Sequence, residues 1–344
     1  MRNIELDSSE TSGKQSQPSM VYPVCIGTHN MRRFQRAYMT YFSMEHSKLA
    51  GNSRALLLSH LLTGAKPLIC GLFAGLGRPL VFLSDALELH NPILVVQSLT
   101  LAAVDWMEPI FDILSHPGLQ VTVADPLSPE QILGRVAYDG RLSGVMKAGP
   151  GFHGVAQIFA NPAAKAAVLE YIQHLDCRDA PKLLSQLSAL SPVILCATHK
   201  AATPAYDFYL SCIPTWVNSL RVLLLHVEED DQRVKLIRGV WLLIVLAYIT
   251  QLRPVLDASL LSTHELPKFG SWDVLWAELR EQETSTGRCR DLQLLRTLRS
   301  MQELGGCYDV GMKLNLQAAW KLLRTWERWT GLGISREESL NIRL

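Results

Sequence analysis

Residues 78–106 read RPLVFLSDALELHNPILVVQSLTLAAVDW, and this stretch sets the architecture expected of the whole chain. Two proline-started helices lie end to end in it. Pro79 suits a first helical turn, because its missing N–H would find no intrahelical partner there. His90-Asn91-Pro92 then breaks the pattern, with Asn91 as N-cap and Pro92 as the first residue of the next helix. In that second helix Ile93, Leu94, Val95, Val96, Leu99, Leu101 and residues 102–104 are apolar almost all round, so it is expected to be buried. The first helix differs. Arg78, Phe82, Asp85 and Glu88 follow one another at helical spacing, which puts ionisable groups on one face of an otherwise apolar segment. Unpaired charge in apolar surroundings is expensive, so chemistry is to be sought on this face first.

The same helical period runs outward in both directions. Phe34 to Lys48 places Tyr38, Tyr41, Phe42 and Leu49 on one face, and Ser53 is read as the cap of a helix running to Leu62, stopped by Gly64 and Pro67. Downstream, Ala163 to His174, Ala180 to Leu190, Val234 to Leu252, Ser271 to Gln282, Leu292 to Leu304 and Leu316 to Trp329 are helical by pattern. Gly305-Gly306 is expected to end the Leu292 helix, and Val193 to Thr198 passes for a short strand among helical neighbours. The expected fold is therefore mostly α. It is a single large helical domain, or two close-packed helical halves, around an apolar pocket over residues 28–344. Residues 1–27 form a polar, disordered N-terminal tail.

Composition narrows the function classes. The 344 residues are 48% hydrophobic, enough for a large core. With 33 basic against 32 acidic side chains there is no electrostatic footprint for nucleic acid or for an anionic membrane surface. The most apolar windows, Leu68 to Leu76 and Val240 to Leu252, fall short of the ~20 residues of a membrane span and read as core helices. Seven cysteines without CxxC spacing argue against a disulfide framework or a structural zinc site, and residues 1–18 lack the apolar core of a secretory signal. A cytoplasmic protein with reduced thiols is expected. Residues 149–154 (GPGFHG) are rich in glycine but lack the GxGxxG spacing and a preceding strand, so no nucleotide cradle is assigned to them.

Four blocks resemble the questin oxidase family, fungal enzymes that open anthraquinone-type rings of aromatic polyketides by Baeyer–Villiger-like oxygen insertion. Arg78 to Leu89 is similar to the family segment HPLIHLGYAxEL through Pro79, Leu80, Leu83, Ala86, Glu88 and Leu89. Residues 132–144 (ILGRVAYDGRLSG) resemble ILxRVRxDxRFxG, with Asp139 and Arg141 matched. Residues 206–225 resemble the DFFLMHxxTS block through Asp207, Phe208, Leu210 and Thr215, and Leu292 to Leu304 resembles HVVKAVRAL through Arg299. Tyr38, Tyr41, Phe42 and Glu45 stand at the family's Y-x-x-Y/F-F-acid motif, while its histidine-rich N-terminal block has no counterpart beyond His29-Asn30, as if the chain were rearranged before Thr28. The resemblance runs from about Phe34 to Trp329.

The resemblance implies an oxidoreductase of secondary metabolism with an aromatic polyketide as substrate and NADPH as cofactor. It also implies a site built by the family's histidines and one lysine, at whose positions this chain carries Arg78, Phe82, Cys212, Gln293 and Arg296. Arginine and phenylalanine cannot ligate a metal, so no metal site is expected. The candidate catalytic residues are Arg78, Asp85, Glu88, Asp207 and Arg296, and the candidate substrate-binding residues are Phe82, Tyr209, Cys212 and Gln293. Asp85 and Glu88 fit a general acid/base pair, or a solvated helix face. Asp207 fits substrate orientation, or a cap on the helix that follows. Asp139 with Arg141 reads as a turn with a surface ion pair. The Tyr38/Tyr41/Phe42 and Trp272/Trp276 clusters fit an aromatic pocket or plain core, and His90, His153 and His199 are weak replacement ligands. The rival reading is a family member that has lost the redox site and serves as a binding or scaffold protein, or as a non-redox isomerase or cyclase.

Overall fold

The computed structural model describes residues 32–63, 67–120, 123–147, 149–199, 204–262, 266, 270–281, 289–304, 309–327 and 329–331. The expected tail 1–27, His29-Asn30 and the Gly305-Gly306 stop lie outside the described residues. The chain is mostly α, as the periodicity predicts. In order, the helices are α1 (Gln35–Lys48), α2 (Ser53–Leu57), α3 (Arg78–Glu88), α4 (Pro92–Val104), α5 (Glu108–Leu114), α6 (Pro129–Tyr138), α7 (Val155–Ala160) and α8 (Pro162–Gln173). They continue with α9 (Ala180–Cys196), α10 (Ile213–Leu224), α11 (Asp230–Thr250), α12 (Ser259–Ser262), α13 (Trp272–Glu281), α14 (Cys289–Leu304) and α15 (Asp309–Thr325). Two short strands, β1 (Tyr206–Asp207) and β2 (Trp329–Thr330), pair in parallel. No single helix among the described residues is long and apolar enough to cross a membrane.

A cap followed by proline is the recurrent start signal. Asn91 accepts from the Ile93 and Leu94 N–H groups ahead of Pro92, Ser128 forms a capping box with Gln131 around Pro129, and Asn161 accepts from Ala164 N ahead of Pro162. At α2 the cap is Asn52, whose side chain accepts from Ala55 N at 3.0 Å, and not Ser53 as expected; Ser53 is the first helical residue. The helix then widens into a π-helical turn at Leu58–Leu62.

Central to the packing is α11, buried almost without interruption from Leu236 to Thr250. Gly239 lets α11 take the Phe73 ring against its backbone, since a Cβ there would lie 2.1 Å from the ring. Trp241 is fully buried and spends its one polar atom on the Tyr171 carbonyl, 3.1 Å away. The window Leu68 to Leu76, expected as a core helix, is a buried 3₁₀ segment over Leu68–Phe73 instead. Its glycines explain the difference. A Cβ on Gly71 would fall 2.1 Å from the Ala102 carbonyl of α4, so the two backbones touch and leave no room for an α-helix with side chains all round. Gly75, Leu76 and Gly77 then take positive φ values of 54°, 63° and 65°, turning the chain into α3.

Elsewhere Val193 to Thr198, which passes for a short strand in the sequence, is helical as far as Cys196, where α9 ends after running through Pro192. The last helix ends at Thr325, ahead of Trp329, which belongs to β2. The Tyr38/Phe42 pair is core, at 5% and 0% exposure, with His60 edge-on to Phe42 at 5.4 Å.

Candidate active site

The site lies where α3 and α14 both pack on α10. Two adjoining cavities open there, sharing Val81, Thr215 and Gln293 in their walls. The first, about 250 Å³, is lined by Arg78, Phe82, Phe208, Cys212 and Trp216 among others. The second, about 280 Å³, carries Asp85, Glu88, Asn218, Arg296, Thr297 and Ser300. Together they form one groove with an aromatic end and a charged end. The helical spacing read from the sequence is what aligns them: one face of α3 presents Arg78 and Phe82 to the first cavity, and Asp85 and Glu88 to the second.

The five positions that the resemblance singled out, Arg78, Phe82, Cys212, Gln293 and Arg296, all line this groove although they come from three separate stretches of chain. Their chemistry differs. Arg78 is held by Asp105, with Nη2 3.1 Å from Oδ2, and its Nε donates to the Gly75 carbonyl at 3.2 Å. It therefore pairs with the C-cap of α4. Gly75 is required for this clamp, since a Cβ would lie 2.3 Å from Asp105 Oδ2. Arg296 is exposed and makes no ion pair within 4 Å among the described residues. Its charge bears on Asp85, whose carboxyl is nevertheless pushed above the ordinary range, first by burial and then by neighbouring Glu88.

Glu88 is not a free partner for Asp85. Its Oε1 is 3.4 Å from Arg221 Nη2, and Arg221 also reaches Asn218 Oδ1 through Nε at 3.1 Å and Ser300 at 3.5 Å. Arg221 was missed in the sequence. It is the one basic residue inside the apolar run of α10, IPTWVNSLRVLL, and a charge so placed is the signal that could have found it. Trp216 and Phe208 were missed as wall residues too. Trp216 is buried, and its Nε1 donates to the carbonyl of Leu76, 3.0 Å away, which locks the left-handed turn at the lip of the first cavity.

Two sequence candidates fall elsewhere. Asp207 lines neither cavity. Its Oδ1 accepts from the Tyr209 and Leu210 N–H groups at 2.8 and 3.0 Å, and the Gln251 amide donates to Oδ2 at 2.7 Å and to the Gly331 carbonyl at 3.2 Å. It is the cap of the turn into α10 and the clasp that seats β2. Burial holds its carboxyl up at about 6 against the pull of those backbone donors. Tyr209 stacks on Phe152 with ring centres 5.8 Å apart, and its neighbour Phe208 takes the place in the cavity wall. Cys212 does line the groove, with its Sγ donating to the Phe208 carbonyl at 3.5 Å. Trp272 donates to Gln302 Oε1 at 3.0 Å, away from both cavities.

Among the described residues no three His, Cys, Asp or Glu side chains are grouped as metal ligands would be. His90 sits at the α3–α4 corner, His153 in the turn before α7, and His199 lies edge-on to Tyr206. A dinucleotide cradle does not fit either. In the 149–154 loop the Gly151 N–H is already spent on the Thr250 carbonyl at 3.1 Å, and the Met146 side chain fills the space over Gly154.

Residues 28–301 match the family described as Questin oxidase-like, which covers most of the chain and every residue named above as lining the groove, leaving α15 and β2 outside the match. No curated protein matches the chain closely enough to count as a relative. The family description carries an oxidase-type role and no particular substrate. With a match of this extent, running in order through α3, α6, α10 and α14, the chain belongs to the questin oxidase-like family.

Proposed function

We propose that the chain is an oxidase-type enzyme that binds a flat aromatic polyketide in the α3–α10–α14 groove and inserts oxygen beside a ring carbonyl, in the Baeyer–Villiger manner. The observation that supports this most is the division of the groove into an aromatic end (Phe82, Phe208, Trp216) and a charged end (Asp85, Arg296). A fused ring system is held between aromatic walls by area and by its quadrupole. Its carbonyl then points along the groove past Gln293 to Arg296. Addition of the reduced oxygen to the carbonyl carbon develops an oxyanion before a ring carbon migrates to oxygen and the O–O bond breaks, and a guanidinium already in place lowers the barrier without reorganising at the moment of reaction. Asp85, whose carboxyl is pushed above the ordinary range by burial and by Glu88, is placed to pass a proton to the departing oxygen. Inserting one atom of O₂ leaves the other as water and takes two electrons, which the resemblance assigns to NADPH. The 149–154 loop offers no cradle for that cofactor, and the part assigned to the groove is to bind, orient and protonate.

The second reading has its own observation. Arg78, Phe82 and Arg296 cannot stand in for a ligating imidazole and Gln293 does so weakly, so the same groove serves a binding protein or a non-redox isomerase or cyclase with Asp85 as acid. The deciding experiment is incubation with hydroxyanthraquinones, NADPH and ¹⁸O₂, read by mass spectrometry alongside quenching of tryptophan fluorescence, with Trp216→Phe as the control that assigns the signal to the groove. A product carrying one labelled oxygen supports the oxidase. Saturable quenching with no labelled product, with or without added iron, would move the protein to the second reading.

A further inference from the structure

The opposite face of α3 closes a different cavity. It measures about 150 Å³ and lies between α2, the π-helical turn Leu58–Leu62, α3 and the α10–α11 connection. Nine of its thirteen lining residues are leucines, among them Leu61, Leu83, Leu87 and Leu236, and none is Phe, Tyr or Trp. Polar groups occur only at the mouth: Arg54, His226 and Glu228. Two wall leucines stand open to solvent, Leu58 at 46% and Leu225 at 75% exposure. The widened turn is a further mark, since π-helical turns recur at functional sites.

We infer that this cavity binds the chain of an aliphatic carboxylate, with its head group on Arg54. The walls can take only an aliphatic body, because they offer no donor, acceptor or ring face to any other. A leucine-lined cavity of roughly 150 Å³ takes one benzene-sized body, which is about a six-carbon chain. The head is specified by the mouth. Arg54 Nη2 already carries a carboxylate there, that of Glu228, at 2.5 Å. Both side chains are exposed, at 68% and 79%, so this pair is screened by water and exchanges partners readily. A carboxylate at the end of a buried chain replaces Glu228 on the guanidinium and adds the apolar contact that Glu228 lacks.

The test uses the full chain and a series of linear carboxylates from butanoate to decanoate, with 1-octanol as the uncharged control, followed by calorimetry and melting temperature. Affinity is expected to rise about fourfold per methylene and to level off once the cavity is full. Arg54→Gln should weaken octanoate about tenfold and leave octanol unchanged. Leu58→Trp, at an exposed position where folding is not at risk, should plug the mouth and abolish binding of both. Phe82→Leu, in the separate aromatic groove, should change neither. Binding that survives Leu58→Trp at full strength, or that is lost in Phe82→Leu, would place the ligand in the other groove and overturn the inference. So would octanol binding as tightly as octanoate, or no saturable binding by any member of the series.

Discussion

The corner between α6 and α8 and the groove beside α14 each gather acids and arginines, yet they use them in opposite ways. At the corner, Asp139 receives Arg141 through Nε and Nη2, the Arg141 backbone N–H and the Tyr171 hydroxyl, while Arg141 reaches on to Glu170 at 2.7 Å. The cation beside it holds the Asp139 carboxyl down at about 2. In the groove, Asp85 has burial and Glu88 against it and only the charge of Arg296 in its favour, so its carboxyl is pushed up. Sequence alone presents both as acidic residues near an arginine in blocks resembling one family. The difference is one of satisfaction: charges that are fully paired hold a fold together, and a carboxyl left short of partners beside a cavity retains the freedom to exchange a proton.

The widest separation between the two regions should appear with Asp85→Asn. Under the proposed reaction it removes the proton donor and lowers turnover by about 10² to 10³-fold. Its effect on stability has the other sign. A raised carboxyl contributes stability below the ordinary value of 3.8 that is lost as pH rises through its higher folded value, so the asparagine variant should melt no lower than the parent at pH 7. A large drop in melting temperature at pH 7 would show that Asp85 is structural, like Asp139. Next in size is Arg296→Gln, expected to cost about 10²-fold in turnover with stability changed by less than about 0.5 kcal/mol, because no ion pair is broken. Equal turnover by this variant and the parent would remove Arg296 from the reaction.

Asp139→Asn inverts the pattern. Turnover should be unchanged while stability at pH 7 falls by about 1 to 2 kcal/mol, a figure kept small because Arg141 is 40% exposed and water screens part of the pairing. Here the carboxyl is lowered, so its contribution is complete above about 3.8 and disappears as pH falls toward about 2. Melting curves between pH 5 and 2 should therefore be steeper for the parent than for the variant. Parallel curves would mean that the Arg141 and Tyr171 contacts add nothing to stability.

The parts of this molecule that were legible in the sequence are those written in local chemistry. Asn91-Pro92 fixes a helix start by cap and ring alone, and the spacing of Arg78, Phe82, Asp85 and Glu88 fixes a face. What stayed hidden depends on contacts distant in the chain. Leu68 to Leu76 has the apolar content of a core helix, but the approach of α4 at Gly71 decides its conformation. Val193 to Cys196 looks like a strand because β-branched residues follow Pro192, yet packing of α9 against α10 and α15 keeps it helical. In the groove, Arg221 counts only once Glu88 and Ser300 are beside it, and the choice of Phe208 over Tyr209 turns on a single residue of register at the entry to α10.

Asp207 supplies the finest test of the comparison, because it is hydrogen-bonded as fully as Asp139 but by neutral donors. Its partners are the N–H groups of Tyr209 and Leu210 and the amide of Gln251, with no cation among the hydrogen bonds. Those dipoles favour the charged form less than burial opposes it, and the carboxyl rises to about 6. Full hydrogen bonding is therefore not what separates the corner from the groove; a paired positive charge is. Asparagine can keep both backbone bonds with its oxygen, while the Gln251 amide, turned to accept from it, gives up the Gly331 carbonyl. Asp207→Asn should then retain turnover and change stability at pH 7 by no more than about 1 kcal/mol, the lost bond offsetting the relief of a buried charge. The stability that the parent's raised carboxyl contributes below 3.8 fades as pH rises to about 6, and the variant should lack that slope. A loss of turnover with the fold intact would instead draw Asp207 into the site, and the groove would have to extend past Phe208 to reach it.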